Sequence, residues 1–177
     1  MKIINAIAAV MFLSVSASAQ LPGAKDLTAK AAATGNVAYE AAKAAFNKAV
    51  KDIPFPYNSD KLELGDPKYK VAGVSVDEFM KKTVIPALVK VMELAPADKQ
   101  VTVTGHASKR GTEEPSGSFI GNTALSKARA EAVVKYITAN SSLPESRFKV
   151  VAAGSTELLA GTAPDSDKNC RVSIKME

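Results

Sequence analysis

The stretch from Val101 to Ala130 constrains the fold most, because its hydrophobic period changes from two to between three and four. Val101-Thr102-Val103-Thr104 alternates apolar and polar residues, the period of a half-buried strand. The alternation breaks at Gly105-His106-Ala107-Ser108, and a polar loop follows from Lys109 to Gly121. Leu125, Ala128, Ala132, Val133, Tyr136 and Ile137 then mark the inner face of a helix over about Thr123–Thr138. On its wet side Lys127, Glu131 and Lys135 are spaced i,i+4, with Glu131 ahead of Lys135 in the better order for an ion pair. Arg129 stands on the second turn of this helix. Backbone N–H donors at the helix start and this guanidinium can together receive an anionic group.

The other elements follow from the same reasoning. Residues 24–51 are rich in Ala and Lys and of high helix propensity, with an interruption expected at Thr34-Gly35-Asn36. Only Val37, Phe46 and Val50 enlarge the helix's alanine face, so it should dock lightly on the domain or on another chain. Ile53, Phe55 and Tyr57 alternate with Pro54 and Pro56, which suits an edge strand. Gly65 to Val76 reads as a loop. A helix then starts at Val76-Asp77, with Asp77 as its N-cap, and carries Phe79, Met80, Val84, Leu88, Val91 and Met92 inward, kinked or split by Pro86. Phe148 to Ala153 reads as a central strand. Cys170 to Met176 reads as a last strand, with Arg171, Ser173 and Lys175 pointing outward. The order β-α-β-α-β-β gives an α+β fold, a two-layer sandwich of one sheet with helices packed on a face.

The first nineteen residues have the form of a cleaved signal peptide: Lys2, an apolar run from Ile3 to Val15, then Ala17-Ser18-Ala19. The run is shorter than the roughly 20 residues that span a bilayer, and no Cys follows it for lipid attachment. The expected organisation is a signal peptide over 1–19, a helical segment over 20–52 and a domain over 53–177. Without Lys2, 22 basic residues face 18 acidic ones. That balance is mild and scattered, so no nucleic-acid surface is indicated. Cys170 is the single cysteine; it forms no intramolecular disulfide and shares strand parity with Val172, Ile174 and Met176, so a buried, inert thiol is expected.

In order along the chain, Gly105-His106-Ala107-Ser108, Gly111, Asn122, Leu125-Ser126 and Arg129-Ala130 resemble the G-H-T-D, G, N, L-S, R-A series of OmpA-like C-terminal domains. Asn169-Cys170-Arg171-Val172 is similar to the family's N-R-R-V, with Cys in place of the first Arg. The resemblance covers roughly residues 53–176. It implies a periplasmic module that binds peptidoglycan, without catalysis, through the diaminopimelate of the peptide stem. In the family an aspartate after G-H-T meets the amine and the arginine of R-A meets the carboxylate. Carried over, the ligand-binding set is Arg129, Asn122, Leu125 and Ser108, with Asn58 lining the site from the end of the first strand. Ser108 occupies the aspartate position and has no charge to meet an ammonium. Either Glu113 or Glu114, in a loop longer than the family's, folds back to supply the carboxylate, or the domain has lost the diaminopimelate site or binds another wall component.

Enzymatic chemistry finds little support. His106 is the only histidine, expected to bridge backbone groups of the loop, and no His/Cys/Asp cluster has metal-ligand spacing. No cofactor is implied. The alternative to wall binding is a periplasmic interaction protein that uses residues 24–51 for a protein partner or self-association.

Overall fold

The computed structural model describes residues 24–177; the signal-peptide expectation lies outside them. Gly35–Glu177 is one compact unit. Helix α1 spans Ala24–Ala49. It stays helical through Thr34-Gly35-Asn36, so the expected interruption is absent. Tyr39 and Phe46 of α1, and Val50 just after it, join the main core, whereas Val37 is 70% exposed. The docking face therefore lies to one side of Val37, and the light contact expected of an alanine face is reinforced by a ring that periodicity had not marked. Asn47 adds a reciprocal pair of hydrogen bonds, Nδ2 to the Met176 carbonyl at 2.9 Å and Met176 N–H to Oδ1 at 3.1 Å.

Strand β1, Ile53–Pro54, lies at a sheet edge and pairs antiparallel with the last strand. There Pro54 leaves no ladder donor missing. The expected loop at 65–76 is not wholly irregular. It folds into a hairpin of β2, Lys70–Val71, and β3, Val74–Ser75, turned by Ala72 and Gly73, both at positive φ.

Ser75 caps α2, Val76–Phe79, by accepting from the Glu78 N–H at 3.2 Å, so the cap falls two residues before Asp77. A π-helical segment, Met80–Val84, leads into α3, Ile85–Leu94. Pro86, in the first turn of α3, has no N–H to give an i−4 carbonyl, and the wider π-helical turn before it accommodates the missing donor.

Strand β4, Val101–His106, runs two residues past the expected end. Helix α4 spans Asn122–Ala139, β5 spans Phe148–Ala152 and β6 spans Arg171–Met176. The sheet order is β1-β6-β4-β5, with β4 parallel to β5 and antiparallel to β6. Strand β5 is therefore an edge strand, not a central one. Its apolar run is used by α4, which crosses β4, β5 and β6. Gly105 allows that approach, because a Cβ there would overlap the Ser126 carbonyl. Arg171 and Ser173, expected outward, are buried; only Lys175 of the three is exposed. The ion pair of Glu131 is made with Lys127 at 3.6 Å rather than with Lys135. No helix among the described residues is long and apolar enough to cross a membrane.

Candidate functional site

Arg129 has no exposed surface. Its Nε donates to the Ser59 carbonyl at 2.8 Å, Nη1 to the His106 carbonyl at 2.9 Å and Nη2 to the Pro56 carbonyl at 2.7 Å. One side chain thus joins the turn after β1, the end of β4 and the body of α4. Burial pulls the Arg129 pKa down from its ordinary value, and the neighbouring Cys170 thiol and Asp60 carboxylate pull it back. The residue remains a cation, with each nitrogen already given to a backbone acceptor.

Asn122 is buried and holds the loop after β4. Its Nδ2 donates to the Ser108 carbonyl at 3.2 Å and to the Gly111 carbonyl at 3.4 Å. The N–H groups of Asn122 and Thr123 donate to the Thr112 and Glu113 carbonyls at 2.9 and 3.2 Å. The first donors of α4, which the sequence offers to an external anion, are therefore taken by the loop itself. Ser108 is buried with its Oγ 3.8 Å from Cys170 Sγ; Cys170 is itself buried and precedes β6. Leu125 is a core residue.

The two glutamates separate. The Glu113 carboxylate accepts from the Ser155 N–H at 3.1 Å, from the Ser155 hydroxyl, and from Thr123 Oγ1 at 3.4 Å. It fastens the loop after β4 to the loop after β5 across Gly154, whose φ is +51° and where a Cβ would overlap this carboxylate. Glu114 is exposed. Asn58, at φ +51°, is exposed in the turn whose carbonyls hold Arg129.

His106 does not bridge the loop backbone through its ring. Nε2 lies 3.1 Å from Ser173 Oγ, within the sheet, and Nδ1 lies 3.7 Å from the Glu157 carboxylate with no hydrogen-bond partner. Burial first, then the charges of Arg171 and Lys175, push its pKa down to about 4. Arg171 pairs with Asp52 at 2.8 Å and also donates to the Glu157 and Asn169 carbonyls. Asn169 organises the loop after β5, accepting from the Leu159 N–H at 2.9 Å and donating to the Ala163 carbonyl at 2.9 Å.

Sequence reasoning did not single out Tyr57, Asp60, Arg110 or Asp167, which form the rim above Arg129's partners. The Arg110 guanidinium lies over the Tyr57 ring at 4.0 Å and forms an ion pair with Asp167. Lys109 N–H donates to the Pro164 carbonyl at 2.8 Å. Three chain segments far apart in sequence therefore meet here. The available signal was only the aromatic in the turn after β1 and the Lys-Arg pair after the strand.

The OmpA family model matches residues 77–171. The OmpA-like domain of FopA1 from Francisella tularensis subsp. tularensis SCHU S4 is similar at 24% identity and TM-score 0.47, over 71% of this chain and 72% of that one. The peptidoglycan-associated lipoprotein from Burkholderia pseudomallei is similar at 18% identity and TM-score 0.50, over 73% of this chain and 92% of that one. The C-terminal domain of Helicobacter pylori MotB is similar at 17% identity and TM-score 0.49, over 72% and 86%. No curated protein matches. At such identities the Burkholderia likeness speaks for the fold alone, and it agrees with the four-stranded sheet described above. The family model covers more than half of the 177 residues, and it contains the loop, the start of α4 and Arg129; this chain belongs to the OmpA family.

Proposed function

We propose that this protein is a non-catalytic periplasmic module that holds peptidoglycan weakly and non-covalently, receiving the diaminopimelate of the stem peptide at the junction organised by Arg129. One observation carries the reading: the turn after β1, the loop after β4 and the start of α4 converge on a single guanidinium. Family membership and the likeness to a protein described as peptidoglycan-associated support it. Exposed Asp60 and Lys109 stand near the rim, offering one charge for each end of a zwitterion. Asn122 sets the loop in this reading and Asn58 lines its edge. Glu113 acts as a fastener and not as the ammonium partner, since its oxygens are occupied. Export by residues 1–19 and a domain starting near residue 53 belong to the same proposal.

A second reading is favoured by the complete burial of Arg129: the fold is kept, the diaminopimelate site is lost, and residues 24–51 contact a protein partner or a second copy. Sedimentation of residues 20–177 with isolated sacculi separates the two. Salt-sensitive co-sedimentation, competed by a diaminopimelate-containing muropeptide, supports wall binding. Absence of both, with self-association lost in Val37→Glu, a substitution at an exposed position of α1, supports the second reading.

A further inference from the structure

Arg110 is the one guanidinium at this junction that solvent reaches: its side chain is 37% exposed, against none for Arg129. It is also preset. The Tyr57 ring supports one face at 4.0 Å, and the neighbouring Lys109 N–H is fixed to the Pro164 carbonyl at 2.8 Å. An arginine stacked in this way loses little conformational freedom when it binds a planar anion. Its protein partner is a single carboxylate, Asp167, from the loop after β5. Both Nε and Nη2 are buried without a hydrogen-bond acceptor, so the contact with Asp167 is an ion pair alone and leaves the fork unsaturated. The Asp167 side chain is 58% exposed, and ion pairs this open add little to stability. A carboxylate that is easily released thus sits on a guanidinium that is rigidly held.

We propose that Asp167 occupies the place of a ligand carboxylate on Arg110, and that binding exchanges the internal carboxylate for one from the ligand. The inference rests on the wall-binding reading and assigns the contact differently within it. Arg129 shapes the junction from below, and Arg110 touches the ligand. Exchange of like for like keeps Arg110 paired in both states, so the free site never presents a bare cation. It also sets the affinity below what Arg110 alone would give, because every ligand carboxylate competes with one tethered at high local concentration.

The test is titration of residues 20–177 with a muropeptide ending in diaminopimelate, followed by NMR, for the wild type, Arg110→Gln, Arg110→Lys and Asp167→Asn. Removing the competitor in Asp167→Asn should tighten binding several-fold. Losing the charged contact in Arg110→Gln should weaken it about ten- to hundredfold. Arg110→Lys, which keeps the charge but not the fork, should fall between. The Tyr57 ring resonances should shift on binding in the wild type and in Asp167→Asn. Unchanged affinity in Arg110→Gln alongside a wild type that binds overturns the exchange and leaves wall binding standing. No binding by either wild type or Asp167→Asn overturns both. Weaker binding by Asp167→Asn makes Asp167 a ligand contact of its own and also overturns the exchange.

Discussion

Arg129 on α4 donates its Nε to the carbonyl of Ser59 at 2.8 Å, across seventy positions of sequence. The bond closes the turn after β1 over the end of β4, and two further carbonyls complete the set. Arg129→Ala should cost about 3–5 kcal/mol, since a buried charge is removed and three carbonyls lose their donor. Arg129→Lys should recover only part of this, because one ammonium cannot match the planar spread of a guanidinium. Urea unfolding measures both, and a loss below about 1 kcal/mol for the alanine variant contradicts the clamp role.

Glu113→Ala should lower stability by about 1–3 kcal/mol by stranding the Ser155 N–H, its hydroxyl and Thr123. Glu114→Ala, on an exposed side chain, should stay within about 0.5 kcal/mol of the wild type. Thermal melts of the pair distinguish a fastener from a bystander. Equal effects remove the distinction.

Gly105→Ala should destabilise by about 3 kcal/mol, at the upper end of overpacking costs. Its Cβ meets the backbone carbonyl of Ser126, which cannot step aside without moving α4. Chemical denaturation of this variant reads how rigidly α4 is seated on β4.

His106 gives stability a pH dependence of definite sign. Its folded pKa, about 4, lies below the ordinary value near 6.5, so the unfolded chain binds the extra proton between these limits. Its contribution is fully present above about pH 6.5 and is lost as pH falls to about 4, amounting to about 3 kcal/mol. The lowered pKa of Asp77, caused first by its hydrogen bond from Tyr136 at 2.5 Å, acts in the same direction at lower pH. Urea midpoints measured from pH 7 to 4 should fall more steeply for the wild type than for His106→Gln. Parallel slopes contradict the assignment.

The sequence by itself determined the order of the four main-sheet strands and the two helices between them, the burial of Val101, Val103, Leu125 and Cys170, and the family. These follow from hydrophobic period and from motif residues whose spacing local backbone geometry fixes. It could not determine that β5 lies at an edge, because a strand covered by a crossing helix is as apolar as a central one. Nor could it determine that Arg171 and Ser173 are buried. Alternation assigns them to the outer face, but Asp52, Glu157 and His106 cover that face from other segments. The sharpest case is the pair of arginines. Motif order marks Arg129, and tertiary structure decides that its nitrogens are given to carbonyls of Pro56, Ser59 and His106. Arg110 has the same chemistry, yet it remains at the surface over Tyr57. A guanidinium's use depends on which acceptors the folded chain brings within hydrogen-bond reach, and those lie tens of residues away in sequence.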